Sequence, residues 1–175
     1  MLTVVLGGAR SGKSGHPLSL AAGRSVVYIA TARRDEDPEM QDRIARHRAS
    51  RPPGWVTVEE PLDIARAVRQ VPQHTLVIVD CITVWISNLM WESRAVARDV
   101  REATVLTAVD HAIEAARNRD VITVSNDVGS GIVPDDPVGR QFRDLQGLAN
   151  QRLSQAADSV VWLVAGLPIM LKGGP

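Results

Sequence analysis

Short apolar runs rich in valine and isoleucine recur along the chain, at Leu2–Leu6, Val26–Ala30, Thr75–Val79, Val121–Ser125 and Val160–Val164. Continuous runs of this length predict strands buried on both faces. Between them, apolar positions return every three or four residues. The clearest stripe, Val138, Phe142, Leu145, Ala149, Arg152 and Ala156, predicts a helix whose one polar member snorkels to solvent. A second, through Val105, Val109, Ala112, Ile113 and Ala116, predicts a helix ending near Asn118, a residue suited to a helix C-terminus. Strands alternating with helices imply right-handed crossovers and an α/β fold with a mostly parallel sheet, with ligands at the carboxyl ends of the strands. Gly166-Leu167-Pro168 can reverse the chain after the last run, making Pro168–Lys172 an antiparallel edge strand. Arg51-Pro52-Pro53-Gly54 breaks a helical stretch and reads as a loop inside one domain. No repeat, low-complexity tract or long linker divides residues 1–175, so a single nucleotide-binding domain is expected.

Composition narrows the classes of function. Hydrophobic residues make up 45% and charged residues 23%, which fits neither a disordered chain nor a membrane protein. Twenty basic residues balance twenty acidic ones, so no overall positive field draws in nucleic acid, and a small substrate is favoured. Cys81 is the only cysteine, which excludes an internal disulfide and fits a reducing compartment; its plain reading is a small buried apolar residue. The first apolar run is too short for a signal-peptide core and leads into glycines, and no run reaches membrane-spanning length. A cytoplasmic location is expected.

The chemistry is concentrated where the first strand ends. Gly7-Gly8-Ala9-Arg10-Ser11-Gly12-Lys13-Ser14 has the spacing of a phosphate-binding P-loop, between a strand and a predicted helix. Glycines let the backbone curl so that successive amide hydrogens face phosphate oxygens, and the following helix offers its positive end. Lys13 then reaches the β and γ phosphates, and the Ser14 hydroxyl suits Mg²⁺, a hard cation that prefers oxygen. Asp80 ends the Thr75–Val79 run, where a carboxylate orients Mg²⁺ or its waters; capping the helix that begins at Cys81-Ile82-Thr83 is the competing role. Arg43, Arg46, Arg48 and Arg51 read as a solvated helix face or, alternatively, as a surface turned toward an anion.

Taken with the P-loop, further stretches over nearly the whole chain resemble the adenosylcobinamide kinase and adenosylcobinamide-phosphate guanylyltransferase family of cobalamin biosynthesis, whose fold is similar to RecA-type P-loop domains. They are Tyr28-Ile29-Ala30-Thr31, Arg43-Ile44-Ala45-Arg46-His47-Arg48 with Arg51-Pro52 and Trp55, Asp80-Cys81-Ile82-Thr83 with Ser87-Asn88-Leu89, and Val128 to Pro134. Phe142-Arg143-Asp144 through Asn150-Gln151-Arg152 to Ala157-Asp158 matches as well. The resemblance implies two reactions at one site: phosphorylation of a cobinamide hydroxyl by ATP or GTP, then transfer of GMP from GTP through a guanylylated histidine, which maps to His47. Without the resemblance, His47 would read as a surface residue. The resemblance also implies that Arg46, Arg48 and Arg51 stabilise charge on the α-phosphate. It implies that Thr31, Ala32 and Arg33 line the nucleotide site, and that Glu59 and Asp80 contact GTP or its metal. A homotrimer and a small-molecule corrinoid substrate follow from the same likeness.

Two positions depart from the family pattern. Gly15-His16-Pro17 stands where the family carries a helix-compatible stretch with a glutamate, so the helix after the P-loop is expected to bend or start late. Asp127 in Asn126-Asp127-Val128-Gly129 replaces a glutamate. These departures leave open a guanylyltransferase with impaired kinase activity. A nucleotide-controlled binding module without group transfer is the alternative of a different class. His16, His74 and His111 receive no role.

Overall fold

The computed structural model describes residues 1–33, 38–49 and 51–174, apart from the side chains of residues 38–40, 43 and 44. The side chains of Arg43 and Ile44, in the arginine- and histidine-rich stretch, therefore lie outside the described residues. The chain runs β1 (Leu2–Gly7), α1 (His16–Leu20), β2 (Val26–Ala30), α2 (Pro38–Ala49), β3 (Val56–Glu59), α3 (Ile64–Gln70) and β4 (Leu76–Asp80). It continues through α4 (Ile82–Glu92), α5 (Arg98–Ala116), β5 (Val121–Asn126), α6 (Pro137–Ala156), β6 (Ser159–Val164) and β7 (Leu167–Lys172). The strands form one sheet in the order β3-β2-β4-β5-β1-β6-β7. All neighbours are parallel except β6 and β7. The expected α/β class, the parallel sheet and the antiparallel edge strand are all present.

Residue alternation explains why the inner strands carry apolar side chains without interruption. Val4, Val27, Ile29, Val77 and Val79 point to one side, where they pack against Ile64 and Val68 of α3, Trp85 and Ile86 of α4, Val109 of α5 and Leu145 of α6. Val5, Val26, Tyr28, Ile78 and Ile122 point to the other, into a smaller cluster. Each strand thus buries both faces. The strand missing from the sequence reading is β3. Among the described residues it pairs only with β2, Val56 is 57% exposed, and its Val-Thr-Val-Glu pattern alternates as a half-solvated edge strand does.

Helix α6 spans the expected region, but its buried face differs from the expected stripe. Val138 is 59% exposed and Ala156 is also exposed, while Gln141, Leu145, Gln146, Ala149 and Leu153 are buried. Two glutamines enter the core because partners await them. Gln141 accepts from Arg101 and donates to the Arg98 carbonyl, and Gln146 donates to Ser125 and Asn150. Arg152 does snorkel, pairing with Asp110 at 2.5 Å. Helix α5 ends as expected, with Asn118 at φ 59°.

The helix after the P-loop starts late. Gly15 is its N-cap and Pro17 falls in its first turn, where a backbone N–H has no partner within the helix in any case. The interior-proline penalty therefore does not apply. Pro17 is buried, and its carbonyl accepts from the Ala21 amide at 3.0 Å. Pro17→Ala is expected to lower the unfolding free energy by about 0.5–1 kcal/mol, because it frees the unfolded chain without repairing a strained helix. Urea denaturation measures it; a gain in stability would show that the proline is strained. No helix among the described residues is long and apolar enough to cross a membrane.

Candidate nucleotide site

Strand β1 delivers the chain to the carboxyl edge of the sheet, and the P-loop closes there. A Cβ on Gly7 would lie 2.3 Å from Ser11 Oγ and 2.9 Å from the Leu163 carbonyl oxygen, so only glycine fits. Arg10 at φ 55° and Gly12 at φ 94° turn the backbone in on itself, the conformation that directs successive N–H groups into a concavity. The Ser11 amide donates to the Gly8 carbonyl at 3.3 Å, and Lys13 Nζ donates to that carbonyl at 2.9 Å. From the far edge, the Gly166 amide in the β6–β7 turn donates to the Ser11 carbonyl at 3.0 Å. A Cβ on Gly12 would lie 3.3 Å from Gly166 Cα.

Beside the loop opens a cleft of about 290 Å³, walled by the carboxyl ends of β2, β3, β4 and β5. The structure brings Lys13, Ser14, Thr31, Ala32, His47, Arg51, Glu59 and Asp80 together around it. His47 comes from the last turn of α2 and is half-buried. Gly7, Gly8, Ser11 and Gly12 build the loop itself, with Ala9 and Arg10 exposed on its outside. Outside the loop, three expected residues stay out of the lining. Arg33 pairs with Glu92 at 2.6 Å, and Arg48 is exposed at the end of α2. Arg46 is exposed too, its Nε donating to the Asp42 carbonyl at 3.3 Å. His16 lies in a separate groove, where burial lowers its pKa, and His74 and His111 are exposed.

Asp80 does not cap α4. That position belongs to Cys81, whose sulfur accepts from the Val84 amide at 3.5 Å. The Asp80 carboxylate instead accepts a hydrogen bond from the Tyr28 hydroxyl. Burial, and then the charge of Asp80, push the Tyr28 phenol far above its ordinary value, so it stays neutral and donates. Burial also pushes the Cys81 thiol up to about 11, which leaves it protonated and a poor nucleophile at neutral pH. Thr31, fully buried, donates to the Cys81 carbonyl at 2.8 Å and accepts from its amide at 2.9 Å, tying the end of β2 to that of β4.

Several cleft residues carried no site role in the sequence reading. Tyr28 reads from the sequence as a member of an apolar strand and of a family-like stretch, with no role of its own. Thr83 and Asn126 enter only as members of family-like stretches; in the structure Thr83 Oγ1 accepts from both the backbone and side-chain amides of Asn126, at 2.9 and 3.0 Å. Asn150 then donates to the Asn126 carbonyl at 3.0 Å, so α6 braces the end of β5. Asp127 lies outside the cleft lining, accepting from Ser130 at 2.8 Å.

The donor set fits a hard cation. Ser14 and Asp80 contribute hydroxyl and carboxylate oxygen to the same cleft, and no cluster of three or more His, Cys, Asp or Glu occurs among the described residues. Such a pair suits Mg²⁺ carried in on phosphate oxygens, with water completing its shell, better than an all-protein cage.

A family model described as cobinamide kinase / cobinamide phosphate guanyltransferase matches residues 3–171. The chain is 39% identical over 178 residues to the bifunctional adenosylcobalamin biosynthesis protein CobP of Pseudomonas aeruginosa, covering 100% of this chain and 99% of that one. It is 36% identical over 187 residues to the bifunctional adenosylcobalamin biosynthesis protein CobU of Salmonella typhimurium, covering 98% and 100%. Among solved structures, an ATPase from the type III secretion system of pathogenic bacteria is similar with a TM-score of 0.57 at 12% identity. That match covers 92% of this chain and 51% of the other, and it concerns the fold alone.

Proposed function

Because the chain belongs to the cobinamide kinase / cobinamide phosphate guanyltransferase family, we propose that it performs both reactions at the one cleft, with His47 as the guanylyl carrier. The observation that carries this reading is the convergence of Lys13, Asp80 and His47, from three separate parts of the chain, on a single cavity. In the kinase step the cobinamide hydroxyl attacks the γ-phosphorus of ATP or GTP, and the nucleoside diphosphate leaves. In the second step an unprotonated imidazole nitrogen of His47 attacks the α-phosphorus of GTP, forming a P–N bond as the bond to pyrophosphate breaks. The phosphate of adenosylcobinamide phosphate then attacks that phosphorus, giving adenosylcobinamide-GDP and restoring the histidine.

The loop amides and Lys13 serve both steps, holding the γ-phosphate in the first and the departing pyrophosphate in the second. Arg51 lines the same cavity, which supports a role for it in meeting charge on the α-phosphate. Ser14 and Asp80 would hold Mg²⁺. That ion, when bound, neutralises phosphate charge. The late start of α1 keeps Lys13 and Ser14 in the cleft, so Gly15-His16-Pro17 does not favour the impaired-kinase alternative. A cytoplasmic homotrimer is part of the same proposal, and the exposed apolar side chains of Leu167, Ile169 and Leu171 on β7 offer surface for a contact between copies.

Incubation with GTP and Mg²⁺ tests the reading. Intact-mass measurement is expected to show one GMP per chain, labile in acid and stable in base, as a phosphoramidate is. Binding of GTP without any adduct would remove the guanylyl-histidine step.

A further inference from the structure

Two oppositely charged groups of the cleft meet on one aromatic ring. Tyr28 lies on β2 and is 5% exposed. Its register partner on β4 is Ile78, so Asp80, two residues further on, lies on the same face of the sheet as a diagonal neighbour. The phenol reaches along that diagonal and donates to Asp80 Oδ2. The Arg51 guanidinium sits 3.7 Å from the centroid of the same ring. Trp55 stacks beside the ring, with centroids 6.4 Å apart and planes at 29°.

Each contact removes a freedom that would blur the site. A carboxylate at the end of a strand can rotate about its side-chain torsions; with Oδ2 engaged by a donor from the adjacent strand, Oδ1 is the oxygen left to turn toward a cation or its waters. Arginine is long and flexible, and lying on a ring face narrows its rotamers. Arg51 Nη1 also donates to Thr57 Oγ1 at 3.0 Å, while its Nε is buried with no partner among the described residues. A buried N–H with no acceptor is a donor for which an anion supplies the missing partner.

We propose that Tyr28 is a positioning residue of the nucleotide site: its hydroxyl orients the Asp80 carboxylate for the metal-bound nucleotide, and its ring holds Arg51 where the phosphate chain passes. The inference rests on the nucleotide reading above and extends it from the wall of the cleft to a core residue behind it. The two functions of the ring separate by substitution. Tyr28→Phe removes only the hydroxyl and keeps the face under Arg51. Tyr28→Leu removes both.

Calorimetric titration of each variant with GTP, once with excess Mg²⁺ and once in EDTA, reads the two functions apart. Tyr28→Phe is expected to weaken Mg²⁺-GTP binding about tenfold, the size of a lost hydrogen bond to a charged group, while metal-free GTP binds within about twofold of wild type. Tyr28→Leu is expected to weaken metal-free GTP as well, because Arg51 loses its platform. Both titrations use one sample, so a general loss of folded protein cancels in their ratio. Wild-type Mg²⁺-GTP affinity in Tyr28→Phe would overturn the proposal, and so would an equal loss of both forms, which marks a structural role alone. Should the wild-type protein form no GMP adduct while Tyr28→Phe still shows the selective loss, the guanylyl-histidine reading falls and this inference stands.

Discussion

His47→Ala is expected to abolish the covalent GMP adduct and to slow guanylyl transfer by about a thousandfold or more, while phosphorylation of adenosylcobinamide keeps most of its rate. Removal of a nucleophile eliminates the two-step route altogether, and what remains is the uncatalysed attack aided by binding. The kinase step should survive because His47 stands on α2 and not on the loop proposed to hold the γ-phosphate, and makes no covalent bond in that step. Intact-mass analysis with GTP, followed by separate assays of the two reactions, checks both halves. His16→Ala, His74→Ala and His111→Ala are the controls, since none of the three lines the cleft, and each should keep the adduct. An adduct that persists in His47→Ala would move the nucleophile elsewhere.

Lys13→Ala is expected to act differently, lowering both activities together by about 10²–10³-fold, the effect of removing one charged group aimed at developing phosphate charge. On the proposed reading one loop serves both reactions, so their losses should run in parallel. Nζ also donates to the Gly8 carbonyl, yet that carbonyl accepts from the Ser11 amide as well, so the loop retains a bond that holds its curl. Loss of only one activity in the paired assays would mean two nucleotide sites and would end the single-cleft model.

Much of the fold could be read before any coordinates because the inner strands bury both faces and leave continuous apolar runs. β3 escaped for the opposite reason: at the edge of the sheet it needs only a half-buried pattern, and Val-Thr-Val-Glu is too short and mixed to stand out. The buried glutamines of α6 escaped because hydropathy scores a side chain alone, whereas the partners of Gln141, and Ser125 among those of Gln146, lie on other elements. In the site, local spacing identified the P-loop and strand-end logic identified Asp80. Tyr28 gave no such signal, as its hydroxyl partner stands 52 residues away, a separation that no pattern along the chain encodes. Arg33 shows the converse. Its neighbour Thr31 does line the cleft, but a carboxylate on α4, Glu92, captures the guanidinium.

The hydrogen bond from the Gly166 amide to the Ser11 carbonyl makes the β6–β7 hairpin a buttress for the first loop. Gly12 leaves room there that a Cβ would take up against Gly166 Cα, and Gly166 at φ 84° holds a turn that other residues adopt only under strain. The curl that would cup a triphosphate is therefore shored up by an outlying turn, on the flank where all six residues of β7 are exposed. A contact on that flank would thus bear on the loop through a single turn of backbone.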